Sequence, residues 1–140
     1  MSKCKILYRM KVLSLILITS VLAFILCSCS ACKVVKPSTV KEIQFGYGGG
    51  VTGVVTTYSI KSDGNLWKGN EKIKKIPCDT LKEIIRQVES LPKDDFIYPD
   101  NTYSFVRIIR NDKIYYYAWS YAKMPDQQII EMYKKLNRLL

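Results

Sequence analysis

The amino-acid sequence predicts an α+β domain of two layers. Its antiparallel sheet runs strand-strand-strand-helix-strand-strand-helix, and both helices cover one face. Three observations lead there. Segments rich in Val, Thr and Tyr alternate in polarity and are joined by Gly- or Asn/Asp-bearing turns. Two other segments carry apolar residues at helical spacing. The strands and helices are not in strict alternation, which argues against a parallel α/β sheet.

The elements follow an export signal. Residues 1–11 hold Lys3, Lys5, Arg9 and Lys11 and no acidic group. Residues 12–26 are an apolar run broken only by Ser14, Thr19 and Ser20, and small residues follow. A basic flank, a short apolar core and small residues make a secretory signal. The run is short of the about 20 residues a membrane span needs. The division is therefore an export signal, a basic, Pro-containing tether and one globular domain over 41–140. Leu26-Cys27-Ser28-Cys29 resembles the lipobox of bacterial lipoproteins, which implies a signal over 1–28 and a tether over 29–40.

Residues 41–45 predict a strand with Ile43 and Phe45 on one face. A glycine-rich turn follows at Gly46-Tyr47-Gly48-Gly49-Gly50, and residues 51–61 return as a strand in which Val54, Thr56, Tyr58 and Ile60 alternate. Asp63-Gly64 signals a hairpin into a short strand over 65–68 with Leu66 and Trp67. Residues 68–77 read as irregular. Thr80-Leu81-Lys82-Glu83 fits a capping box, with Asp79 the alternative cap. Leu81, Ile84, Ile85, Val88 and Leu91 form the stripe of that helix, and Pro92 ends it.

Residues 92–101 read as a loop. A hairpin over 102–110 and 113–121, turning at Asn111-Asp112, sets Val106 opposite Tyr117, Ile108 opposite Tyr115 and Ser104 opposite Trp119. Arg107 in the middle of the other face marks that face as the wetter one. The core residues should then be Val106, Ile108, Tyr115, Tyr117 and Trp119. Met124-Pro125-Asp126 opens a last helix, with Pro suited to its first turn. Its apolar face holds Ile129, Tyr133, Leu136 and Leu140, with Ile130 beside them.

Composition excludes several kinds of chemistry. The chain has no histidine. His-based triads, His-ligated zinc and an imidazole base are therefore unavailable. The mature chain holds three cysteines, Cys29, Cys32 and Cys78. Cys32 and Cys78 could pair, but Cys32 sits in the tether, so a disulfide is not expected, and this is no disulfide framework. Asp94, Asp95 and Asp100 flank prolines without calcium-loop spacing and read as solvated. No enzyme, cofactor or metal site is expected. The net charge is +10, but four of the 22 basic residues lie in the signal, leaving 18 against 12 acidic. An exported chain with dispersed charge is not expected to bind nucleic acid.

Gly48-Gly49-Gly50-Val51-Thr52-Gly53 satisfies G-x-G-x-x-G literally. Dinucleotide binding needs a helix after the last glycine, and here a strand follows. Four glycines in six residues exceed what a turn needs, so something approaches this backbone closely, either the domain itself or a partner. The candidate binding residues are Tyr47, Gly48, Gly49, Gly50, Val51, Thr52 and Gly53. Phe105, Arg107 and Tyr116 on the wetter sheet face join them, because that aromatic and Arg composition suits an interface.

The chain carries three resemblances. Leu26-Cys27-Ser28-Cys29 resembles the lipobox of bacterial lipoproteins. The resemblance implies cleavage before Cys29 and acylation of its sulfur. Cutting before Cys27 would put Leu26 where a small residue is needed, and cutting before Cys32 would put Cys29 where an aliphatic one is usual. The chain as a whole resembles small uncharacterised lipoproteins of Bacteroidota-type bacteria, through the stretch Phe45-Gly46-Tyr47-Gly48-Gly49-Gly50-Val51-Thr52-Gly53. More loosely it is similar to emfourin-type protease inhibitors, which share a Gly-Gly-hydrophobic-small-Gly hairpin, although Val51 stands where an aromatic is more usual. These resemblances imply an envelope protein held in the bilayer through acylated Cys29. Ser30, not being acidic, implies the outer membrane with the domain facing the periplasm. They also imply a domain that binds another envelope protein, in the inhibitor case a protease. The alternative is a structural or accessory lipoprotein with no specific ligand.

Overall fold

A computed structural model describes residues 38–111 and 113–140. The signal, Cys29 and most of the tether lie outside the described residues. The fold is α+β. One seven-stranded sheet comprises β1 (Val40–Gly49), β2 (Val55–Lys61), β3 (Asn65–Lys68), β4 (Glu71–Lys75), β5 (Phe96–Tyr98), β6 (Thr102–Arg110) and β7 (Ile114–Trp119). The helices are α1 (Cys78–Ser90) and α2 (Gln127–Asn137). The strand order is β4-β3-β2-β1-β6-β7-β5, antiparallel except where β5 joins β7 in parallel.

Both helices pack on one sheet face. Ile43, Phe45, Ile60, Leu66, Val106, Ile108, Tyr117 and Trp119 point up to them. Leu81, Ile84, Val88 and Leu91 of the α1 segment and Ile129, Met132 and Leu136 of α2 close the core. Burial of side chains this size stabilises by about 1.5–3 kcal/mol each. The β6–β7 register is the predicted one: Ser104 faces Trp119, Val106 faces Tyr117 and Ile108 faces Tyr115. In α2, Met132 takes the core position, and Leu140 is about half exposed.

Several local expectations are corrected. Strand β1 does not stop at Phe45 but runs on to Gly49, so Gly46, Gly48 and Gly49 are strand residues. The turn proper is residues 50–54. Residues 71–75 form β4, an edge strand exposed along its whole length. Its alternation is hidden because neither face is buried. Residues 96–98 form β5, added to the opposite edge.

Helix α1 starts at Cys78 with Pro77 at the cap and no side-chain cap, so neither Thr80 nor Asp79 serves. At α2 the cap is Asp126, whose carboxylate accepts the Gln128 N–H at 2.8 Å, and Pro125 lies just outside the helix. Asp95 is not merely solvated: it accepts the backbone N–H of Tyr116 at 2.8 Å. Cys78 is disulfide-bonded.

Candidate functional site: a groove beside the glycine hairpin

Four residues on the helix-facing side form one row across the sheet. Thr56 of β2 pairs with Tyr47 of β1, Tyr47 with Ser104 of β6, and Ser104 with Trp119 of β7. The row continues the core face of Ile43 and Phe45, but here α2 covers only part of the sheet. Tyr133 of α2 packs edge-on against Trp119 with ring centroids 5.1 Å apart. Its hydroxyl donates to the Gly46 carbonyl at 3.1 Å, which fixes the helix over β1.

The result is a groove of about 610 Å³. The Thr56-to-Trp119 row is its floor. Ile130, Tyr133 and Lys134 form one wall, Tyr121 and Met124 another, and Thr52 and Val54 of the glycine turn a third. That volume lies within the range of about 300–1,000 Å³ usual for ligand clefts. Tyr47 is 52% exposed, Val54 62%, Tyr121 96% and Met124 48%. Lys134 is the one formally charged side chain on the lining. With no carboxylate, thiol or imidazole among these residues, the groove suits recognition of apolar and aromatic groups rather than acid–base work.

The glycines explain how the hairpin reaches this position. A Cβ on Gly46 would lie 1.9 Å from the Thr56 carbonyl oxygen. On Gly48 it would meet the Tyr103 ring at 2.9 Å, and on Gly49 the Asn101 carbonyl oxygen at 1.9 Å. Glycine at these three sites admits neighbouring chain of the domain itself. Gly50 and Gly53 have open space around them and positive φ, 75° and 62°, so they serve the turn. Val51 at its tip is fully exposed.

Of the residues singled out from the sequence, Tyr47, Gly48, Gly49 and Thr52 line the groove, and Gly50, Val51 and Gly53 belong to the same turn as Thr52 without lining it. Phe105, Arg107 and Tyr116 are not brought there. They lie on the opposite sheet face. Phe105 is 4% exposed, packed beside Tyr103 and Tyr116, and so presents no binding surface. The Arg107 guanidinium stacks on Tyr116 at 4.8 Å and donates to Gln44 Oε1 at 3.4 Å. Burial pushes the Tyr116 phenol above its ordinary pKa, Tyr103 adds to that, and Arg107 partly offsets it.

Sequence reasoning missed Trp119 as floor, and Tyr121, Met124, Ile130 and Tyr133 as walls. One signal was present. Tyr121 and Met124 are large apolar side chains at the end of the predicted strand 113–121 and at the opening of the last helix, where no stripe accounts for them.

Among the described residues no group of His, Cys, Asp or Glu is arranged to hold a metal ion. No helix among them is long and apolar enough to cross a membrane. No protein-family model matches the chain, and no curated protein does.

Proposed function

We propose that this chain is a lipid-anchored envelope protein whose domain binds another protein at the groove between the glycine hairpin and α2. One observation carries the binding role. Tyr47, Val54, Tyr121 and Met124 converge on a single concavity while each stays about half exposed or more. Convergent apolar side chains left open to water, with packed aromatics beneath them, are the composition of an interface core. The anchor reading rests on the lipobox resemblance and assigns acylation to Cys29.

The hairpin favours one version of this binding. Val51 stands fully exposed at the tip of a turn next to the groove. A protruding tip can enter a partner's cleft while the groove receives the partner's rim, as a protease inhibitor does. Labelling cells with an alkyne fatty acid tests the anchor, and the label should vanish in Cys29→Ala. Co-purification from crosslinked envelopes tests the domain. A discrete complex should form with the wild-type chain and fail with Tyr121→Glu/Met124→Glu. A complex that survives this double substitution would place the binding elsewhere.

A further inference from the structure

The end of the sheet opposite the groove has a different character. There β1 begins at Val40, opposite Arg110 of β6. Lys61 at the end of β2 sits opposite Glu42, and Lys75 at the end of β4 sits opposite Asn65. Arg110 donates its backbone N–H to the Lys113 carbonyl, and Lys41 accepts from Ser62. Register therefore gathers Lys41, Lys61, Lys74, Lys75, Arg110 and Lys113 where the tether joins the domain. All but Arg110 are exposed.

The described acidic groups near this end are Glu42, Asp63 and, on α1, Asp79 and Glu89. Helix α1 belongs here because it begins just after Ile76, which donates to the Gly64 carbonyl, and because its Val88 carbonyl accepts from Arg110. Six basic groups stand against these four. Asp63 stays exposed, and its carboxylate accepts the Asn65 N–H at 2.9 Å and the Asn65 side-chain amide at 2.6 Å. Apolar and aromatic groups sit among the cations. Ile114, next to Lys113, is 53% exposed, and Tyr115 lies beneath both Arg110 and Lys113, at 5.5 and 4.9 Å. Basic side chains around an exposed isoleucine and a tyrosine make the composition that settles at an anionic bilayer surface.

We infer that this basic end docks on anionic lipid headgroups, so that the domain stands on the membrane with its groove turned away. Strand β1 spans ten residues, so the groove is held about 30 Å from the docked end. The orientation presupposes the Cys29 anchor proposed above. A tether of about a dozen residues already confines the domain near the bilayer, and the cations then decide which end faces it. Each basic residue at an anionic surface is worth about fivefold in partitioning.

The test uses the full acylated chain, purified from membranes and reconstituted into vesicles of phosphatidylcholine, with or without phosphatidylglycerol. Lysine reactivity toward an amine label is mapped by mass spectrometry. Lys75 and Lys113 should lose reactivity several-fold on the anionic vesicles and regain it in high salt. Lys134 at the groove should label equally on both. Equal labelling of Lys75 and Lys113 on the two vesicle types would overturn the inference, as would shielding of Lys134 in their place. Lys74→Glu/Lys75→Glu/Lys113→Glu should abolish the difference at Lys41 and Lys61, and a difference that survives counts against docking through this end. Flotation of the chain with neutral vesicles, lost in Cys29→Ala, reports the anchor separately.

Discussion

Gly49 holds φ at +95° with the Asn101 carbonyl oxygen where a Cβ would go, whereas Gly50 holds φ at +75° in open space. The two glycines should therefore behave differently on substitution. Gly50→Ala pays only the left-handed backbone cost of about 1–2 kcal/mol. Gly49→Ala adds a clash with backbone and should lose about 3 kcal/mol or more. Urea unfolding of both variants checks this, and equal losses would contradict it. The glycine excess was visible in the sequence, but its cause was not, because the atoms approaching Gly48 and Gly49 come from β6 and the residue before it, more than fifty positions away. Phe105 was misread for a related reason. Alternation gives the face a residue occupies, but not whether Tyr103 and Tyr116 close over it.

Tyr117 offers a second test at this scale. Its hydroxyl donates to the Pro92 carbonyl, and burial pushes its pKa up to about 12 from 10.0. The folded chain thus keeps a phenol proton that the unfolded chain releases. Stability from this group is intact below pH 10 and falls between about pH 10 and 12, by at most about 1.4 kcal/mol per pH unit. Tyr117→Phe should lose about 1 kcal/mol at neutral pH and fall less steeply over that alkaline window. Parallel urea titrations at pH 8 and near pH 11 compare the two, and equal slopes would contradict the assignment.

Among the elements, the strongly periodic ones were legible. The β6–β7 hairpin came out in register because its apolar positions and its turn agree. The α1 stripe held for the same reason. Strands β4 and β5 were not legible, since an edge strand buries too little to impose a pattern. In β4, Lys72, Lys74 and Lys75 occupy three of five exposed edge positions, which is how edges avoid pairing with other chains. Lys72→Thr/Lys74→Thr should raise self-association in sedimentation velocity at unchanged fold, and a strictly monomeric variant would count against that role. The helix caps are unequal too. Asp126→Ala removes the cap of α2 and should cost about 1 kcal/mol. Because α2 carries Ile130 and Tyr133, that loss should also loosen the groove wall.

Across the whole domain, the sheet separates two kinds of chemistry along its strands. One end is cationic and joins the tether, and the other carries the apolar groove and the protruding Val51. A sequence shows the basic, Pro-containing segment before the domain and the glycines directly. It does not show that Tyr47, Ser104 and Trp119 share one row, because three separate strands must pair before that row exists. Nor does it show where α2 stops covering the sheet, since that depends on the Tyr133 hydroxyl reaching Gly46. Site-specific photo-crosslinking in growing cells separates the groove from the rest of the surface. A photoreactive residue is placed singly at Val54, Tyr121 or Met124 in the groove, and at Ile97 or Ile73 on the two sheet edges. The groove positions should give one discrete protein adduct of common mass, and the edge positions none. Adducts from the edges alone, or no adduct from any groove position in a chain that is folded and anchored, would contradict the groove as the binding site.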